Sequence, residues 1–161
     1  MLFRSLDHVL VMVAVGLFAA QLGERALWLV PLAFLSMMVA GGALAAGGVD
    51  LPLVEVAIAL SVVVLGIAVA IGWRMPIAAA MALAGVFAIF HGHAHAAEMA
   101  HSVSGLEYGF GFVLATAMMH GAGIGLGLSV GRLGEASGRR ILRLAGSAMA
   151  VAGVAFLAGY G

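Results

Sequence analysis

The 161-residue chain contains no cysteine and no lysine, only three prolines, and charged side chains at 9% of its positions. Without cysteine there are no disulfides, no thiolate metal ligands and no cysteine nucleophile. Without lysine there is no G-x-x-x-x-G-K-[ST] phosphate loop, which speaks against ATP-driven work by this polypeptide alone. Soluble domains carry roughly 25% charged residues, so the shortage of charge excludes an ordinary water-soluble globule.

What fills the chain instead is apolar: 65% of residues are hydrophobic and the mean hydropathy is +1.21. Six apolar stretches cover residues 6–22, 26–46, 53–72, 75–91, 106–130 and 139–160. Each is near the ~20 residues a helix needs to cross a bilayer. The expected fold is therefore all-α, a polytopic integral membrane protein whose single domain (1–161) bundles six transmembrane helices. The residues left over are too few for a soluble catalytic or nucleotide-binding domain. Neither enzymatic activity nor a permanently bound cofactor is expected, and nothing points to nucleic acid. Gly121 to Gly127 contains G-x-x-x-G twice and reads as a helix-packing face.

Positive residues mark the cytoplasmic side of membrane proteins. Arg25, Arg74, Arg132, Arg139, Arg140 and Arg143 fall in or beside the first, third and fifth loops, whereas the second and fourth loops hold no arginine. Both termini are accordingly expected outside. Asp7, Asp50, Glu55, Glu98 and Glu107, with His8, His91, His93, His95 and His101, then gather at the outer face. An acidic, imidazole-rich mouth suits an incoming cation.

The segment Phe90-His91-Gly92-His93-Ala94-His95-Ala96-Ala97-Glu98 carries the most chemistry. On a continued helix, His91, His95 and Glu98 at i, i+4, i+7 share one face within ~60° of arc. Two imidazoles and a carboxylate suit Ni²⁺, Co²⁺, Zn²⁺ or Cu²⁺ better than Mg²⁺ or Ca²⁺. His93 points away from that stripe, as a capture residue or a partner of His101, unless Gly92 breaks the helix. Asp7-His8, at the same outer level, are placed to complete a coordination sphere. His120 falls ~20 Å below Glu107 along its helix. An ionisable residue at that depth reads as a second metal station or a proton acceptor. Paired histidines also admit a small membrane cytochrome, although only His120 lies deep enough for haem.

These residues resemble the nickel permeases encoded beside hydrogenase and urease genes, the HupE/UreJ family. Asp7-His8 and the helix they open look like the family's first motif. Phe90 to Glu98 looks like its Phe-His-Gly-x-Ala-His-Gly-x-Glu motif, with Ala96 in place of a glycine. Trp28-Leu29-Val30-Pro31 and Ala115 to His120 are similar as well. The resemblance implies a secondary carrier or facilitator for Ni²⁺ in the bacterial inner membrane, fed from the periplasm, with Asp7, His8, His91, His95 and Glu98 as functional positions. It also implies a link to hydrogenase or urease maturation, and leaves open an accessory protein that binds metal without moving it. The family's first motif histidine would fall at Met1, downstream of a signal peptide. The chain is therefore expected to be truncated at its N-terminus, with Met1–Ser5 not native: Leu2-Phe3-Arg4-Ser5 is also what the end of a common sequencing adapter encodes.

Overall fold

The computed structural model describes residues 2–97 and 105–159. They form six helices: α1 (Leu2–Leu22), α2 (Ala26–Ala46), α3 (Val54–Ile71), α4 (Ile77–Ala97), α5 (Gly105–Gly131) and α6 (Glu135–Gly159). No strand occurs among the described residues. Helices α2 to α6 are each long and apolar enough to cross a membrane; the apolar part of α1, Leu6–Leu22, is shorter. The protein is a multi-pass membrane protein.

Two boundaries differ from expectation in ways that matter. Helix α4 does not end near His91; it passes through Gly92 and continues to Ala97. Helix α6 begins at Glu135 rather than near 139, so Arg139, Arg140 and Arg143 ride on its first turns. Pro31 lies within α2, and Pro52 and Pro76 sit just before α3 and α4. Gly72, at φ 61°, closes α3: its N–H and that of Trp73 return to Val69 and Ala68 carbonyls, a glycine stop.

Three helix pairs make most of the packing: α2 with α4, α3 with α6, and α1 with α5. In lipid no hydrophobic force drives helices together, so close backbone approach at small residues must supply the attraction. Each pair has such a point. A Cβ at Gly92 would strike the Met38 carbonyl of α2, one at Gly66 the backbone of Ala150 in α6, and one at Gly123 the backbone of α1 at Val13 and Gly16. Of the two G-x-x-x-G patterns within Gly121–Gly127, only Gly123 and Gly127 face α1; Gly121 and Gly125 meet nothing. The core is built from Val11, Val15, Phe18, Phe34, Met38, Leu65 and the alanine ladder Ala80, Ala84, Ala88. Large apolar side chains such as Leu144, Val151, Phe110 and Met118 are exposed around the outside, as a lipid-facing surface requires.

Candidate metal centre

The continuation of α4 places the histidines. Six residues of α4 follow His91, which sinks it ~9 Å below the helix end at 1.5 Å per residue. Gly92 is the reason the helix can continue there: with no side chain, it lets α4 lie directly on the α2 backbone. His91 is fully buried, and Asp7 and His8 on α1 are buried as well. The His8 ring meets the His91 ring at 4.5 Å between centroids and the His95 ring at 4.4 Å, both edge to face. The expected outer mouth is therefore an internal cluster, closed by contact between α1 and α4.

Each ring in the cluster is held by a different neighbour. Asp7 Oδ1 accepts from the His8 backbone N–H (2.7 Å) and from the His8 ring Nδ1–H (2.8 Å), which leaves the lone pair of that ring on Nε2. Ser61 of α3 donates its hydroxyl to the Ile58 carbonyl (2.5 Å) and so accepts from His91 Nε2–H at 3.0 Å. The lone pair of His91 then sits on Nδ1, which is buried and has no hydrogen-bond partner. His95 Nδ1 lies 3.3 Å from the Tyr108 hydroxyl of α5, and its buried Nε2 is likewise without a partner. Neutral imidazoles fixed through one nitrogen, with the other left bare, are the arrangement that metal-binding histidines use. Among the described residues, no three His, Cys, Asp or Glu side chains are yet gathered around a common metal position.

Below the cluster stands Phe34 of α2, fully buried, its ring 5.7 Å from that of His91 on one side and 5.0 Å from that of His120 on the other. His120 is buried, and neither ring nitrogen has a hydrogen-bond partner among the described residues. Thr116, one turn before it on α5, donates to Met38 Sδ at 3.7 Å. A cleft of about 710 Å³ opens between α2, α4 and α5, where His95, Tyr108 and Phe112 face Met38, Gly42 and Gly92.

The residues expected at the site thus divide. Asp7, His8, His91 and His95 come together, and His120 follows one aromatic layer beneath. His93 does not join them; its Nε2–H donates to the Val49 carbonyl (2.8 Å), tying α4 to the α2–α3 loop. Glu98 and His101 lie outside the described residues. Ser61, Tyr108 and Phe34 are the partners that the sequence reading missed. Ser61 had a signal, as the one hydroxyl in the apolar run of α3. Tyr108 is one of two tyrosines and Phe34 one of eight phenylalanines, with nothing local to single either out.

The sequence profile of the HupE / UreJ proteins matches residues 3–156. The chain belongs to the HupE/UreJ family. It is also 45% identical to protein HupE of Rhizobium leguminosarum bv. viciae over 157 residues, which cover 98% of this chain and 81% of that protein. No solved structure matches it. Membership in HupE/UreJ supports a role in metal transport or as a hydrogenase or urease accessory, and is consistent with a protein that is not an enzyme.

Proposed function

We propose that this HupE/UreJ protein is a secondary transporter or facilitator for a divalent transition-metal cation, Ni²⁺ first, with Co²⁺ or another such ion as the alternative cargo. It lies in the bacterial inner membrane with six crossings, both termini periplasmic, and takes the ion up from that side. The observation that carries this reading is the buried contact of His8 with His91 and His95, each ring steadied by a neighbour. A solvated, idle histidine tract has no need of burial or of Asp7, Ser61 and Tyr108 behind it.

In this reading Glu98 captures the ion at the outer end, while His93 ties α4 to the α2–α3 loop. His8, His91 and His95 receive it as the α1–α4 contact loosens, with Asp7 keeping the His8 lone pair on Nε2. Phe34 separates that position from His120, the inner station. Flux follows the metal gradient or the membrane potential, the latter favouring inward movement of a doubly charged ion. Borderline nitrogen donors exclude Mg²⁺ and Ca²⁺ on chemical grounds.

The test is Ni²⁺ uptake into proteoliposomes by the wild-type chain and by His91→Ala and His95→Ala. Saturable uptake is expected in the wild type and background uptake in both variants. Tight Ni²⁺ binding by the wild type without flux would instead assign the protein to an accessory role that holds metal for maturation. Flux unchanged in both variants would overturn the site.

A further inference from the structure

At the opposite end of the bundle from the histidines, a groove of about 420 Å³ opens between the ends of α1, α3, α5 and α6. Arg74, Arg139 and Arg143 line it, together with Glu135 and Gln21. Its walls include Gly131 and Gly134, beside which nothing would meet a Cβ, so the space is not filled by neighbouring side chains. Glu135 answers one of the three charges: its carboxylate accepts from Arg139 at 3.2 Å. Arg74 and Arg143 make no ion pair or hydrogen bond among the described residues. Gln21 donates Nε2–H to the Val69 carbonyl at 2.9 Å, and its buried Oε1 has no hydrogen-bond partner among the described residues.

The groove therefore asks for two things at once. It offers two uncompensated guanidinium groups, which call for an anion with several acceptor oxygens. It also holds a buried acceptor that calls for a hydroxyl or amine donor, since an orphaned buried carbonyl is costly. Exposed Ile71 and Ile67 on α3 flank the groove with apolar surface, against which acyl chains can lie. We infer that this groove binds the headgroup of an anionic phospholipid, its phosphate between Arg74 and Arg143 and a headgroup hydroxyl donating to Gln21 Oε1. Phosphoglycerol has this chemistry. Phosphoethanolamine supplies a donor too, but its ammonium group sits badly beside an excess of positive charge. Basic recesses between helix ends are the usual place for such headgroups, and the inference is independent of what the histidine cluster carries.

The test is native mass spectrometry of the full chain released from nanodiscs that contain phosphatidylglycerol and phosphatidylethanolamine in equal amounts. Phosphatidylglycerol is expected to be retained roughly tenfold over phosphatidylethanolamine. That preference should vanish in the Arg74→Ala/Arg143→Ala double variant and persist in Arg140→Ala, an exposed arginine of α6 outside the groove. Arg74→Lys/Arg143→Lys keeps the charge and should keep most of the preference, which guards against a merely misinserted alanine variant. Gln21→Ala should lower retention of phosphatidylglycerol relative to phosphatidic acid, which lacks the hydroxyl. Equal retention of the two lipids, or an equal loss in Arg140→Ala, would overturn the assignment. So would saturable binding of inorganic phosphate or glycerol phosphate in phosphatidylcholine nanodiscs that the double variant abolishes, since the groove would then belong to a free anion.

Discussion

The outer cluster and His120 are both buried imidazole sites, yet they are built differently. In the cluster every ring is turned by a neighbour: Asp7 holds His8, Ser61 holds His91 and Tyr108 stands at His95. Among the described residues His120 has no hydrogen-bond partner at either nitrogen, and the Phe34 ring stands 5.0 Å from it. A ring fixed through one nitrogen presents the other in a set direction and tautomer, and so contributes to selection. A ring with two bare nitrogens can turn to face either side. On the transport reading proposed above, the difference implies a division of labour in which the first site discriminates and the second passes the ion along.

The largest effect that would sharpen this contrast is expected from His120→Ala. It should reduce Ni²⁺ uptake to background while leaving equilibrium Ni²⁺ binding by the detergent-purified protein nearly unchanged; equal loss of both would merge the two sites into one. Asp7→Asn comes next. It removes the carboxylate behind His8 and should weaken Ni²⁺ binding by about a hundredfold, the upper end for a group that orients a metal-binding imidazole. Isothermal titration would read this directly, and an affinity equal to wild type would mean that Asp7 does not act on the metal through His8. Ser61→Ala should have the smallest effect, roughly tenfold on the same affinity. Its signature is a changed tautomer at His91, visible in the ¹⁵N shifts of the labelled ring. An unchanged ring spectrum would remove Ser61 from the site.

Much of this arrangement was legible in the chain, and the reasons for the rest are physical. Apolar runs report helices well, because a bilayer leaves few alternatives for an unpaired backbone, and 26–46 matches α2 residue for residue. The i, i+4 spacing of His91 and His95 was readable for the same reason, as was their convergence with Asp7-His8. Depth was not. Gly92 reads as a helix breaker by propensity, whereas in the bundle it is the point where α4 lies on α2, so the helix runs on and the site moves inward. Partners from other helices were also hidden. Ser61 is thirty residues from His91, and nothing local in either segment states that they meet. His93 shows the converse, since a metal-like spacing in sequence is turned by the helix toward the Val49 carbonyl.

The glycine contacts described for the three helix pairs have a mechanical consequence. Where backbones touch, two helices cannot slide or roll without colliding, so α1 with α5, α2 with α4, and α3 with α6 behave as three stiff struts. The struts divide the candidate site residues among themselves: His8, Tyr108 and His120 ride on the first, His91, His95 and Phe34 on the second, and Ser61 on the third. The α1 and α4 backbones barely approach each other, and the His8 ring reaches across to those of His91 and His95. Tilting the first strut against the second would part His8 from its two companions and draw His120 away from Phe34 in the same stroke. On the proposed transport reading, one tilt would therefore couple opening above to opening below, with histidine rings at the moving contact.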